Sequence, residues 1–81
     1  MTKEQALRLM HAYAEYTSLA HLRGMPARVT EDFSIEKTMR WLGFMQGALW
    51  SSERFTLEEL KEHSRHAAKS EVGADWELIR L

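Results

Sequence analysis

The chain has 81 residues, 44% of them hydrophobic and 28% charged, and a formal net charge of −1 at pH 7. These values are typical of one small globular domain. They argue against a strongly basic nucleic-acid binder and an acidic DNA mimic, and the absence of cysteine excludes disulfides and thiolate zinc ribbons. The N-terminal stretch MTKEQALRLMHAYAEY is charged throughout, and no apolar run approaches the roughly 18 residues of a membrane span. We therefore expect a cytoplasmic protein.

The first predicted helix covers residues 3 to about 23. Thr2 and Gln5 have the spacing of a capping box, in which both side chains accept backbone N–H groups. Gly24, with a proline two residues later, marks the helix end. Leu22 departs from the pattern, because it falls on the polar side. The apolar face consists of Ala6, Leu9, Met10, Tyr13, Tyr16, Thr17 and Ala20.

A candidate ligand pocket lies beside the connector over residues 25–33. The hydroxyls of Tyr13 and Tyr16 and the guanidinium of Arg28 are suitable donors for an anion or a nucleotide. The favoured interpretation is simpler: tyrosines on an apolar helix face are core residues whose hydroxyls reach water. The pocket is therefore the second hypothesis for these residues.

The second predicted helix covers residues 34–51, with Ser34 or Asp32 as its N-cap. Its apolar residues span about two-thirds of the helix circumference, which is wider than the usual amphipathic stripe. This width predicts a central helix, covered by the first helix on one side and by the third helix, the tail or a second subunit on the other. The apolar positions are Ile35, Met39, Leu42, Met45, Leu49 and Trp50, then Trp41, Phe44 and Ala48.

Two glycines, Gly43 and Gly47, share the polar stripe of this helix with Glu36 and Arg40. Each costs a helix about 1 kcal/mol relative to alanine. The stripe is either a solvent-facing surface that tolerates them or a place where another helix approaches closely. Gln46 lies within the apolar face, so it is either a core amide bonded to backbone or a polar group in a helix–helix or homo-oligomer interface.

The third predicted helix covers residues 56–70, and Thr56 with Glu59 forms a second capping box. Glu59, His63 and His66 share one stripe and have the chemistry of zinc or iron ligands. A solvated charged face is the favoured alternative, because no H-E-x-x-H pattern occurs. The first turns carry Glu58 and Glu62 as well, so direct DNA binding by this helix is disfavoured.

The C-terminal tail, residues 74–81, is too apolar to remain in water. It contains Trp76, Leu78, Ile79 and Leu81, and its length is compatible with a last helical turn or an edge strand. Together with the wide apolar arc of the second helix, the tail predicts a homo-oligomer, a dimer or larger.

Residues 36–65 resemble small accessory proteins of tailed bacteriophages and prophages. The stretches EKTMRWLGFMQGALW and FTLEELKEHSR match an RWLGF-x-QG-x-L helix followed by an FT-L-E-E-L-K helix. The resemblance implies a phage origin, action in the host bacterial cytoplasm and binding of a host enzyme, defence complex or regulator. It offers no catalytic residues. It implies a signature made of Arg40, Trp41, Gly43, Gln46 and Gly47, to which Trp76 of the tail is added as an interface residue.

The sequence thus predicts an all-α fold, a small three-helix domain with an apolar C-terminal tail. The leading function is a non-enzymatic phage or prophage accessory protein that binds a host macromolecule, most plausibly a protein, in host takeover or counter-defence. The alternative is a helical oligomer that binds a small ligand or nucleotide, and a metal-dependent enzyme is the third hypothesis. No cofactor and no membrane partner are expected.

Overall fold

The computed structural model describes residues 1–69, and the predicted tail, Trp76 included, lies outside the described residues. Within residues 1–69 the chain forms helices and turns and no strand, which confirms the all-α class. The helices are α1 (Lys3–Tyr16), α2 (Ala20–Arg23), α3 (Ile35–Ser51) and α4 (Leu57–Lys69), with a 3-10 turn at Pro26–Arg28.

Both predicted capping boxes are present. The hydroxyl of Thr2 accepts the Gln5 N–H at 3.1 Å, and the Gln5 side chain accepts the Thr2 N–H at 2.8 Å. At α4 the Thr56 hydroxyl accepts the Glu59 N–H at 3.2 Å, and the Glu59 carboxylate accepts the Thr56 N–H at 2.8 Å. Ser34, rather than Asp32, caps α3 by accepting the Lys37 N–H at 3.1 Å. These starts follow from side-chain chemistry within four residues.

The prediction of one helix over residues 3–23 is wrong, because α1 ends at Tyr16. Thr17 is extended, with φ −95° and ψ 144°, and its hydroxyl accepts the Leu19 N–H at 3.1 Å. A threonine side chain thus provides the backbone with a hydrogen bond that competes with helix continuation. The chain turns here and resumes as α2, and this turn buries Leu22 to 1% exposure.

Among the described elements α1, not α3, is the central helix. It contacts α2, α3, α4 and the 3-10 turn, whereas α3 and α4 contact each other sparsely. The prediction that α3 is central is therefore wrong for this part of the chain. The hydrophobic core consists of Ala6, Leu9, Met10, Ala12, Tyr13, Leu22, Met25, Leu42, Met45, Leu49, Phe55, Leu60 and Ala67.

The α3–α4 connection holds the two helices in place. Glu53 has φ 63°, a left-handed conformation in which glycine is normally found. The N–H of Arg54 bonds to the Leu49 carbonyl at 2.9 Å and that of Glu53 to the Trp50 carbonyl at 3.0 Å, which is the pattern of a Schellman motif. The chain leaves α3 sharply, and Phe55 enters the core at 3% exposure.

Candidate binding groove between α3 and α4

A groove of about 380 Å³ separates the C-terminal half of α3 from the first two and a half turns of α4, residues 57–65. It exists because both helices pack mainly on α1 and touch each other little. We call this feature the α3–α4 groove. Its lining residues are Gln46, Gly47, Trp50, Leu57, Leu60, Lys61, Ser64 and Arg65.

Large apolar side chains form the walls of the groove and remain exposed to solvent. Trp50 is 56% exposed and Leu57 is 53% exposed, while Leu60 between them is buried at 5%. Lys61 and Arg65 are the charged residues of the lining, and no carboxylate among residues 1–69 lines it. The groove therefore combines an apolar surface with two basic side chains, each of which is paired with a glutamate on the outside of α4.

The polar floor of the groove is a hydrogen-bonded bridge between the two helices. The Gln46 amide nitrogen donates to the Ser64 hydroxyl at 2.9 Å and to the Tyr13 hydroxyl at 3.3 Å. Within residues 1–69 the Gln46 amide thus bonds to side chains of α1 and α4 and not to backbone. Of its two predicted roles, these contacts fit the polar group between helices and not the core amide bonded to backbone. It joins three helices at the point where the groove meets the core.

Behind this bridge, Tyr13 and His63 form a buried pair. Each is 1% exposed, and the Tyr13 hydroxyl lies 2.8 Å from Nδ1 of His63. Because the Tyr13 oxygen accepts from Gln46, its own hydrogen is available for Nδ1 of His63. Which of the two groups donates depends on the tautomer of the imidazole, and in either tautomer the ring is buried. The prediction of a solvated face is therefore wrong for His63.

Burial favours the neutral form of both rings. It raises the pKa of the Tyr13 phenol well above its usual value, and the hydrogen bond from Gln46 opposes this effect only in part. Burial lowers the pKa of His63, although the carboxylates of Glu59 and Glu62 oppose it. At neutral pH the pair therefore contributes a hydrogen bond and no charge to the interior.

The three candidate metal ligands do not converge. The carboxylate of Glu59 is engaged at the helix start, where the bond from the Thr56 N–H lowers the pKa of Glu59. The His63 ring is enclosed by Tyr13 and by Phe55, whose ring centroid lies 4.8 Å away. Glu59, His63 and His66 were predicted to share one stripe of the helix. Within residues 1–69, however, no three side chains are grouped so that they could hold a metal ion.

The predicted ligand pocket of Tyr13, Tyr16 and Arg28 is also wrong, because the structure separates its members. Tyr13 faces His63 in the core, and Tyr16 lines a polar depression near the C-terminal end of α3. Arg28 lines a different cavity, beside α2. The break at Thr17 is the physical reason, since it turns the chain away from α1 before the connector begins.

The signature residues on α3 occupy different environments. Gly43 and Gly47 are exposed, and a Cβ added to either would meet nothing within 4 Å among the described residues. Close approach to these glycines by another helix therefore does not occur within residues 1–69. Arg40 is exposed, whereas Trp41 is half-buried and packs edge-to-face on Phe33 with ring centroids 5.0 Å apart.

Most of the groove residues on α4 were not singled out from the sequence. Leu57, Lys61 and Ser64 follow one another at intervals of four and three, which places them on one helix face. That spacing was a usable signal, but Lys61 and Ser64 are not apolar and so the face was not recognised. On α3, Gln46 and Trp50 belong to the predicted apolar face, whereas Gly47 belongs to the predicted polar stripe.

Comparison of the chain with protein-family models, curated proteins and solved structures finds no match. In the described residues, none of the helices has both the length and the apolar character required to cross a bilayer.

Proposed function

We propose that this chain is a non-enzymatic phage or prophage accessory protein that binds a host protein through the α3–α4 groove. Trp50 and Leu57, both more than half exposed on the walls of one concave surface, are the observation that carries the proposal. Exposed apolar side chains that cluster around a cavity are typical of interaction sites, and tryptophan is among the commonest energetic anchors of interfaces. The host bacterial cytoplasm is the expected place of action.

The lining favours a partner segment with an apolar anchor flanked by carboxylates. Lys61 pairs with Glu58 at 3.6 Å, and Arg65 pairs with Glu62, all on the surface of α4. Surface pairs of this kind contribute little to stability, so a partner's carboxylates can replace them at low cost. An amphipathic helix presented to such a groove is a common mode of recognition.

The exposed glycines extend the proposed surface beyond the groove. Gly47 lines the groove, and Gly43 lies one turn earlier on the same helix. Without side chains there, a partner helix can bring its backbone close to α3. This contact would offset the helix-propensity cost of the two glycines. Within residues 1–69 no side chain or backbone packs against either glycine closely enough to do so.

Affinity capture from host lysate tests the proposal with a matched pair of variants. Trp50→Ala removes a groove wall, and Phe44→Ala removes an aromatic residue of nearly equal exposure, 55% against 56%, elsewhere on α3. We expect the wild-type chain and Phe44→Ala to retain the same host protein. Trp50→Ala should bind the recovered partner about tenfold or more weakly, as hot-spot substitutions do. Equal binding by both variants, or no retained host protein, would contradict the proposal.

Self-association is a separate part of the proposal. The exposed apolar residues of α3 and α4 favour a homo-oligomer, a dimer or larger. Sedimentation equilibrium of the full chain measures this directly, and a monomer at about 100 μM would rule out an assembly with a micromolar dissociation constant.

A further inference from the structure

A second cavity, of about 280 Å³, lies on the other side of α3, beside α2 and the 3-10 turn. We call it the α2 pocket. Met25 is buried at 5% exposure, while Phe44 is 55% exposed. The lining residues are His21, Met25, Arg28, Trp41 and Phe44. The pocket shares no lining residue with the α3–α4 groove.

Its aromatic walls are held in place by neighbouring rings. The Phe44 ring meets the His21 ring edge-on, with centroids 5.7 Å apart and planes at 73°. Trp41 meets Phe33 in the same way at 5.0 Å and 81°. Edge-to-face packing of this kind is favourable. The α2 pocket therefore presents preformed apolar walls suited to a planar ring.

The charge of the pocket is positive. Arg28 is exposed at the end of the 3-10 turn, where its backbone N–H donates to the Met25 carbonyl at 3.0 Å. The ion pairs of residues 1–69 involve Arg8, Lys61 and Arg65, so no described carboxylate is paired with Arg28. No acidic residue in this part of the chain lines the pocket. A guanidinium at the edge of an aromatic pocket matches a carboxylate in both charge and planar geometry.

We propose that the α2 pocket binds a small aromatic carboxylate, with its ring against Trp41 and Phe44 and its carboxylate on Arg28. The cavity volume, about 280 Å³, is at the lower end of ligand pockets, which favours one compact ring system over a larger ligand. The site is independent of the proposed protein partner, because that partner binds the opposite side of α3.

Calorimetric titration of the full chain with indoleacetate and its neutral amide, indoleacetamide, tests this proposal. We expect indoleacetate to bind more tightly than the amide. Arg28→Gln should weaken indoleacetate about tenfold and leave the amide unchanged, because it removes a charge-assisted bond and no wall. Arg23→Gln is the matched control, since Arg23 is an exposed arginine of α2 outside the pocket.

Phe44→Ala tests the aromatic wall of the pocket and not its charge, so it should weaken the binding of both indoleacetate and indoleacetamide. Trp50→Ala lies outside the α2 pocket and should weaken the binding of neither. Thermal melts of each variant establish that it is folded. The proposal is overturned if acid and amide bind the wild-type chain equally, or if Arg28→Gln and Arg23→Gln behave alike. Tighter binding of adenosine monophosphate than of indoleacetate would replace the aromatic acid with a nucleotide and likewise overturn it.

Discussion

The inward and outward faces of α3 differ in what they do for the fold. On the inward face Leu42, Met45 and Leu49 are at most 1% exposed against α1. On the outward face Gly43 and Gly47 meet nothing within 4 Å among the described residues. One helix therefore combines a side that stabilises the domain with a side that weakens the helix. The two faces therefore differ in what they contribute to the stability of residues 1–69.

The largest expected effect is on the inward face. Leu42→Ala or Leu49→Ala should lower the free energy of unfolding by about 2–5 kcal/mol, since each leaves a cavity in the core. Denaturant melts measure this, with Phe44→Ala on the exposed side expected to cost about 1 kcal/mol or less, since it loses only a half-exposed ring contact with His21. A leucine variant that loses less than about 1 kcal/mol would remove the contrast between the faces.

Tyr13→Phe probes the polar group where the core meets the groove. It leaves the His63 Nδ1 and one Gln46 contact without the Tyr13 hydroxyl, so we expect a loss of about 1–3 kcal/mol. The same substitution in a His63→Phe background should cost much less, because the pair is already gone. Equal costs in both backgrounds would mean that the hydroxyl and the imidazole do not interact.

The same pair predicts how stability depends on pH. The pKa of His63 is lowered by burial, so below about pH 6.5 the unfolded chain binds a proton that the folded chain does not. Stability from this group is therefore complete above about pH 6.5 and is lost as the pH falls toward the folded pKa. Melts from pH 8 to pH 5 should show this decline in the wild-type chain and a shallower one in His63→Phe.

The smallest expected effect has the opposite sign and lies on the outward face. Gly43→Ala and Gly47→Ala should each raise the free energy of unfolding by about 0.5–1 kcal/mol, because the new methyl groups enter open space and alanine favours the helix. The same variants should bind the captured host protein more weakly. Stabilisation without any loss of binding would show that the glycines are merely tolerated.

Local chemistry explains which parts of the fold were predictable. The helix starts at Thr2, Ser34 and Thr56 depend on residues at most three positions away. Thr2 and Thr56 were predicted, and Ser34 was one of two predicted N-caps. The break at Thr17 was missed because the apolar pattern continues through it. Leu22, on the polar side of the predicted wheel, was the available signal, since only a change in chain direction buries it.

The site was harder to predict because it depends on how helices cross. Tyr13 and His63 are 50 positions apart and meet only through the packing of α4 on α1. The helical periodicity places His63 on one stripe with Glu59 and His66. It does not predict which other helix packs over the His63 side chain. The groove follows from the sparse contact between α3 and α4, a tertiary property that no single helical wheel contains.

The central position of α1 has a consequence for hydrogen exchange. Opening of α4 alone breaks its contacts with α1 and the Gln46–Ser64 bond, while α1 still packs on α3. Release of α1 instead dismantles the core on both sides. Amide protons in the middle of α1 should therefore exchange only through global unfolding, and those of α4 through a cheaper partial opening. That partial opening widens the α3–α4 groove, which would give the proposed host partner access without global unfolding.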